Sequence, residues 1–448
     1  MSDFIIPNNI NNITLPTFMN FDFQRCGHKV IDEFISYTHS KKYGKMEFVP
    51  YNKFKDITFI HEGGFSKIYK ATWNEGPRDW RAPSPYRIGK MTVALKELND
   101  SYNINSGELE ELYNYSIKST SEAGYAYYDH FNYISKYFGF TQNPITNNFM
   151  IITKYYESGD LRNHINNDFY NITWFDKLVK LRFIIGGLKN IHDINIIHRD
   201  YHSGNIFLAA QETPITGDLG LNKSALCSSE NEIYGVVPYV APEIFQGQNY
   251  VKASDIYSFG MIMWELMTGR RPFWDKVHDT NLIVEICDGL RPPIVTNAPD
   301  GYIELMNECW HFDPVKRPTA SNLLSKVKTM LENEINRNNP TKIIESSDIG
   351  PVITNNPSAI YKSRPLSEMI KSAIYIINLR SLTIISKIDK RKFDDLIKDN
   401  YENDNSKKIK SCESENNDYL MELDIGIETN TSISNNNYYI TKEICNFF

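Results

Sequence analysis

Between residues 51 and 333, strand-type patterning comes first and helix-type patterning follows. This order limits the folds open to the chain more than any other feature. Thr58-Phe59-Ile60 runs into Gly63-Gly64 and then Lys67-Ile68-Tyr69-Lys70-Ala71, which reads as strand, glycine turn, strand. Thr92 to Leu98 reads as a further strand. From Thr173 to Ile194 the apolar residues Trp174, Leu178, Leu181, Ile184, Ile185, Leu188 and Ile191 recur at helical spacing. Phe259 to Met267 is apolar apart from Glu265, as a buried helix would be. Strands gathered in one half and helices in the other predict an α+β fold of two lobes.

The flanks differ in composition from this zone. Residues 1–50 are polar and Asn-rich at first, then carry a short helical pattern over Val30–Tyr37 with Ile31, Phe34 and Ile35 on one face. From about residue 336 clusters such as Asn400–Ser406 and Asn435–Asn437 appear, a composition that seldom supports a packed core. The expected division is therefore an N-terminal extension over 1–50, partly disordered, a globular domain over 51–335, and a mostly disordered tail over 336–448. Within that tail, Leu366 to Ile385 could form one amphipathic helix.

Several function classes are disfavoured at this stage. Lys and Arg total 48 against 55 Asp and Glu, and a net charge of -7 argues against a general nucleic-acid binder. Cys26, Cys227, Cys287, Cys309, Cys412 and Cys445 are scattered, with no C-x-x-C pair, so neither a metal clip nor a disulfide framework is expected. Free thiols suit a reducing compartment. Met1–Asn12 lacks the pattern of a leader, and the apolar stretch Ala373–Ile385 is interrupted by Asn378 and Arg380 and is too short to span a bilayer. The expectation is a soluble, cytoplasmic protein with no membrane span. Its oligomeric state is not legible.

One ordered set of motifs carries the chemistry. Val93-Ala94-Leu95-Lys96 ends a strand on a lysine; His198-Arg199-Asp200 is followed after four residues by Asn205. Asp218-Leu219-Gly220, Ala241-Pro242-Glu243, Asp255-Ile256-Tyr257-Ser258-Phe259-Gly260 and Arg317-Pro318 follow in that order. Over about residues 55–333 the chain resembles a eukaryotic protein kinase, and the motifs in this order are far more specific than any one alone. The resemblance implies a bilobal protein-kinase-like fold, with a β-sheet and one helix in the N-lobe and a larger helical C-lobe. It implies ATP and Mg²⁺ as the nucleotide and metal, and protein substrates.

Phosphoryl transfer is mostly positioning and electrostatic stabilisation, so the roles follow from charge. Lys96 would face the α- and β-phosphates, held by a carboxylate. Glu111 is the candidate for that carboxylate, with Glu110 and Glu108 as rivals on the same turn. Asn205 and Asp218 are hard oxygen ligands suited to Mg²⁺. Asp200 would accept the hydrogen of the substrate hydroxyl. By resemblance, Glu243 and Arg317 form a supporting pair and Asp255 holds the catalytic-loop backbone. Thr153 takes the gatekeeper place, Lys154 and Tyr156 follow in the hinge, and Ile60, Ile68, Ala94 and Phe207 line the adenine pocket. An apolar pocket and simple core packing call for the same residues here. The segment from Trp73 to Lys90 reads as a long loop.

The chain departs from the family pattern at the glycine-rich loop, where the three glycine places read His61, Gly63 and Ser66, with Gly64 beside the survivor. Glycine there lets backbone N–H groups approach phosphates closely. The departure raises the alternative of a pseudokinase scaffold with weak nucleotide binding. His202 stands where many serine/threonine kinases have lysine, and Val236 follows Gly235 where many have threonine. Ser203-Gly204 and Tyr239 do not follow the tyrosine-kinase pattern either. The mixture resembles the tyrosine-kinase-like group, which usually phosphorylates Ser or Thr. Pro50-Tyr51, His202-Ser203-Gly204-Asn205-Ile206 and Ala359-Ile360-Tyr361 resemble a large expanded kinase family of mycorrhizal soil fungi. Ser224, Ser228, Ser229 and Tyr234 are candidate phosphate acceptors whose charge Arg199 could bind.

Overall fold

The computed structural model describes residues 24–63, 66–80, 82, 84–99, 101, 104, 109, 112–114, 116, 133–218, 233–352 and 354–380. The N-terminal lobe is a six-stranded sheet. Its strands are β1 (Glu47–Phe48), β2 (Phe54–Glu62), β3 (Ser66–Trp73), β4 (Met91–Leu98), β5 (Tyr137–Gln142) and β6 (Phe149–Lys154), in spatial order β1-β5-β6-β4-β3-β2. All neighbours are antiparallel except β1 and β5. The parallel pairing of β1 depends on Gly139, whose φ is 149° and where a Cβ would lie 1.8 Å from the Glu47 carbonyl oxygen. One face of the sheet buries Val49, Phe54, Ala71, Trp73, Val93, Leu95, Met150 and Ile152.

The expected loop after Trp73 contains a short ribbon, Arg78–Asp79 paired with Tyr86–Arg87. Arg87 reaches the carboxylate of buried Glu47 at 2.7 Å, so the insertion is pinned to β1. Before the sheet comes α1 (Lys29–His39), over the segment whose spacing predicted it. Ile31, Phe34 and Ile35 are all buried, among Leu109, Leu112, Tyr113, Phe140 and Phe149. The N-terminal extension is thus packed from residue 28 onward.

The larger lobe is helical. It contains α2 (Leu161–Asp168), α3 (Trp174–Asp193), α4 (Lys252–Thr268), α5 (Thr280–Cys287), α6 (Tyr302–Cys309) and α7 (Ala320–Asn336). Thr173 and Asp176 close a reciprocal capping box at the start of α3. Every residue of α4 from Ser254 to Thr268 is buried, and the helix stops at Gly269 in a left-handed conformation. Two short strands, β7 (Ile206–Leu208) and β8 (Pro214–Thr216), form a hairpin between α3 and α4.

The tail departs from expectation over 338–380. Ile349, Leu366, Ile370 and Ala373 are buried in the same core cluster as α3 and α4. Residues 367–380 form a helix, α8, within the span read as amphipathic. The chain turns back after α7 because Glu334 is buried and its carboxylate accepts from the Thr341 amide at 2.7 Å and hydroxyl at 2.9 Å. Residues 381–448 lie outside the described residues. No helix among the described residues is long and apolar enough to cross a membrane.

Candidate active site

Strand register decides which side chains line the cleft, because directly paired residues share a face of the sheet. Ile68 pairs with Lys96, Lys96 with Ile151, and Ala94 with Thr153, so all five lie on the face opposite Val93 and Leu95, where Ile151 is itself buried. Lys154 pairs with Val93, one step out of phase, and its side chain is exposed. The Lys154 side chain therefore points away from that of Thr153, and its main chain lies beside it. Ile60 is 47% exposed, at a register shift between Phe59 and His61. Gly63 donates its N–H to the Ser66 carbonyl at 2.8 Å and closes the turn, while Ser66 is buried and pairs with Leu98. Gly64 lies outside the described residues.

Below the sheet, Tyr156 and Phe207 stack with ring centroids 5.4 Å apart and an interplanar angle of 2°. The Tyr156 hydroxyl donates to Ser135 at 3.2 Å, and burial pushes its pKa up to about 12. Gly217 sits against the Phe207 ring, where a Cβ would approach to 2.8 Å. A side chain there would displace either the ring or the aspartate that follows. Nothing in the sequence marks Gly217 as more than the residue before a motif.

Lys96 forms a direct ion pair with Asp218. Glu111, Glu110 and Glu108 lie outside the described residues, so among the described residues Asp218 is the carboxylate that holds this lysine. The catalytic loop is fixed from beneath by Asp255, which is 1% exposed. Its carboxylate accepts from the amide of His198 at 2.8 Å and of Arg199 at 3.0 Å, and contacts His192 Nε2 at 2.8 Å. These bonds keep Arg199 at a φ of 67°, a left-handed conformation unusual for a non-glycine residue. His198 Nε2 is 3.0 Å from the Gly217 carbonyl, and burial holds its pKa below the usual imidazole value, so the neutral ring donates there.

Asn205 Nδ2 donates to the Asp200 carbonyl at 2.8 Å, and the Gly217 amide donates to the Asn205 carbonyl at 2.9 Å. A short chain of bonds thus links Asp200, Asn205 and the residue before Asp218. The Asn205 amide oxygen remains as an acceptor. Asp218 itself has a φ of 53°. The set fits Mg²⁺, which takes one or two protein oxygens and shares the rest of its shell with water and phosphate.

A further residue stands at Asp200. His202 Nε2 is 3.8 Å from the Asp200 carboxylate, and His202 Nδ1 accepts from the Gly204 amide at 3.1 Å, so Nε2 carries the proton and faces the carboxylate. Tyr250 donates its hydroxyl to the Tyr234 carbonyl at 3.2 Å. Burial, and then the Asp200 carboxylate, push its phenol well above its ordinary value. Tyr250 belongs to no motif, and the sequence offered no signal for it.

The supports are buried. Arg317 forms two bonds with Glu243, both 2.7 Å, and Ser254 adds a third to that carboxylate at 2.9 Å. The Tyr239 hydroxyl donates to Glu265, whose pKa burial raises to about 8. Of the four candidate phosphate acceptors, Tyr234 alone lies among the described residues.

A sheet lobe, a helical lobe, and a lysine, two aspartates and an asparagine gathered where they meet define a protein-kinase-type fold. The chain belongs to the protein tyrosine and serine/threonine kinase family, which matches residues 55–327. A mimivirus protein named as a serine/threonine-protein kinase/receptor (Acanthamoeba polyphaga mimivirus) is 30% identical over 41% of this chain and 12% of its own length. A Dictyostelium discoideum protein, named as the serine/threonine-protein kinase roco5, is 28% identical over 62% of this chain and 10% of its own. Ephrin type-B receptor 2 of Gallus gallus is 30% identical over 41% of this chain and 19% of its own. The chain thus spans less than a fifth of the length of each of these three relatives.

Proposed function

We propose that the chain is an ATP-dependent protein kinase that transfers the γ-phosphoryl group to Ser or Thr hydroxyls of protein substrates. The observation that carries this reading is the hydrogen-bonded chain joining Asp200, Asn205 and Gly217, with Lys96 paired to Asp218 above it. Lys96 supplies positive charge to the α- and β-phosphates, and Asp218 keeps it pointed into the cleft. Asp200 accepts a hydrogen bond from the substrate hydroxyl and orients its oxygen for in-line attack. Ile68, Ala94 and Thr153 above, and Phe207 stacked on Tyr156 below, form the apolar slot for the base, with the main chain of Lys154 and Tyr156 at its edge. Ile60 stands at the mouth, and the turn closed by the Gly63 amide and the Ser66 carbonyl lies where the phosphates would enter. Asn205 and Asp218 are the residues that would hold Mg²⁺. When bound, that ion neutralises charge on the β- and γ-phosphate oxygens.

Glu111 remains the proposed second partner of Lys96. The pseudokinase alternative is not favoured, because His61 and Ser66 sit within the paired ends of β2 and β3 while Lys96, Asp200, Asn205 and Asp218 are all kept. Ser/Thr specificity is supported by the names of the mimivirus and Dictyostelium relatives, while the matching family takes in tyrosine kinases as well. His202-Ser203-Gly204 and Tyr239 favour the tyrosine-kinase-like group. The wording around Asn205 and Tyr361 supports a place near the expanded kinase family of mycorrhizal fungi. The test is labelling from radioactive ATP by the native chain and by Asp218→Asn. Labelling confined to the native chain, on Ser or Thr by phosphoamino-acid analysis, is expected. Equal labelling of both would overturn the reading.

A further inference from the structure

The chain after α7 runs back over the larger lobe and ends on the activation segment, the stretch between Asp218 and Glu243. Gly350 donates to the Thr268 carbonyl at 2.7 Å, and Asn356 to that of Trp274 at 3.0 Å. His278 donates its amide to the Ser358 carbonyl at 3.1 Å. The Tyr361 hydroxyl donates to the Pro272 carbonyl at 2.8 Å, with the Arg271 guanidinium 3.9 Å over its ring. The chain then forms β10 (Arg364–Pro365), antiparallel to β9 (Tyr234–Gly235) of the activation segment. Leu366 donates its amide to the Ile233 carbonyl at 2.8 Å, and the Ile233 amide donates to the Ser367 hydroxyl at 2.9 Å. Both backbone groups of Ile233 are therefore satisfied by residues more than 130 positions later.

A two-residue ladder is weak by itself. Here it is anchored on both sides. Leu366 is fully buried, Ile370 and Ala373 of α8 sit in the same core, and Arg364 donates to the His278 carbonyl. The edge offered by β9 lies close in sequence to the site's floor: Tyr239, four residues after Gly235, has its ring 5.7 Å from that of His202, whose Nε2 is 3.8 Å from the Asp200 carboxylate.

We propose that residues 338–380 are an intramolecular ligand of the activation segment. The extended run 364–366 adds a strand to its edge and holds its substrate-facing end in order without a phosphate. The surface fits an extended peptide recognised by main-chain bonding and one buried leucine, the mode of strand addition. This role in catalysis rests on the kinase reading above. The ordering does not, and it is measured separately.

The test uses the full chain and two variants, Leu366→Ala and the milder Ser367→Ala, which removes only the acceptor for the Ile233 amide. Hydrogen exchange of a peptide covering 233–240 is followed with and without catalysis. Exchange about tenfold faster in Leu366→Ala, and faster to a smaller degree in Ser367→Ala, is expected. With casein as the phosphate acceptor, KM for casein should rise severalfold in both variants while KM for ATP stays within about twofold. Unchanged exchange in both variants overturns the clamp. Faster exchange with an unchanged KM for casein overturns its link to substrate. A higher kcat/KM for casein on release would make the segment a blocker and overturn the proposal. If the native chain labels nothing, the kinase reading fails and the exchange result still decides the clamp.

Discussion

At the scale of single residues, charge placed at fixed points carries the chemistry, and removing it should be costly. Asp200→Asn keeps the Asn205 Nδ2 bond, which goes to the Asp200 carbonyl, so the loop should survive. We expect kcat to fall by about 10²–10⁴, the usual contribution of a positioned acid–base group, with KM for ATP little changed. A steady-state assay separates the two parameters. Lys177 is a different case. It is fully buried in the first turn of α3, its ammonium has no hydrogen-bond partner, and it lies 4.1 Å from the Phe169 ring centroid and 4.9 Å from that of Trp174. Burial pushes its pKa down to about 7 from an ordinary 10.5. Between those values the unfolded chain binds more protons than the folded one, so this lysine's contribution to stability rises with pH across that window. Below about 7 both states are charged and the full cost of burying the charge stands, offset in part by the two rings. Lys177→Met keeps the shape and removes the charge. It should stabilise the chain by about 1–3 kcal/mol at pH 6, with a smaller gain at pH 9. Thermal unfolding at the two pH values measures both; a lower Tm at pH 6 would mean that the rings more than repay the burial.

At the scale of elements, the activation segment is held at its C-terminal end by one buried ion pair. Arg317 and Glu243 share two bonds at 2.7 Å, and Arg317 also donates to the carbonyls of Ala253, His311 and Phe312. Arg317→Ala would strand the Glu243 carboxylate, and breaking a buried pair of this kind costs about 3–5 kcal/mol. Differential scanning calorimetry should show the loss, and Arg317→Lys should recover little, because an ammonium cannot form the two-point bond. This anchor was legible in the sequence because each half sits in a short local motif, Ala241-Pro242-Glu243 and Arg317-Pro318. α1, α3 and α4 were legible because apolar spacing is also a local signal. Other parts had no such signature. Tyr250 reaches the Tyr234 carbonyl through the fold alone. Ile349, Leu366, Ile370 and Ala373 are too widely spaced in a polar stretch to suggest a core, and they bury themselves only because the larger lobe already presents an apolar face. Glu108, Glu110 and Glu111 show the opposite limit, since composition names the turn and cannot choose among its members.

At the scale of the whole molecule, the packed unit is larger than the family match over 55–327, because α1 and β1 precede it and 338–380 follow it. The N-terminal addition bears on the site through aromatic contacts. Phe34 of α1 meets Tyr113 edge-on with centroids 6.4 Å apart and Phe140 of β5 at 6.0 Å, and Tyr37 of α1 meets Tyr113 at 5.1 Å. Tyr113 is a helical residue two positions after Glu111, so α1 braces the segment that carries the proposed second partner of Lys96. Phe34→Ala removes a ring that is 8% exposed, and deleting such a buried ring costs about 3–5 kcal/mol. That loss should lower Tm by several degrees or more. It should also raise KM for ATP, because a loosened segment holds Lys96 less firmly, while KM for the protein substrate changes less. Ile35→Val, which keeps most of the apolar contact, should cost only about 0.5–1.5 kcal/mol and leave KM for ATP close to native. An unchanged Tm in Phe34→Ala would show that α1 is no part of the folding unit. A lowered Tm with an unchanged KM for ATP would confine its role to stability and break the link drawn here from residue 34 to the nucleotide site.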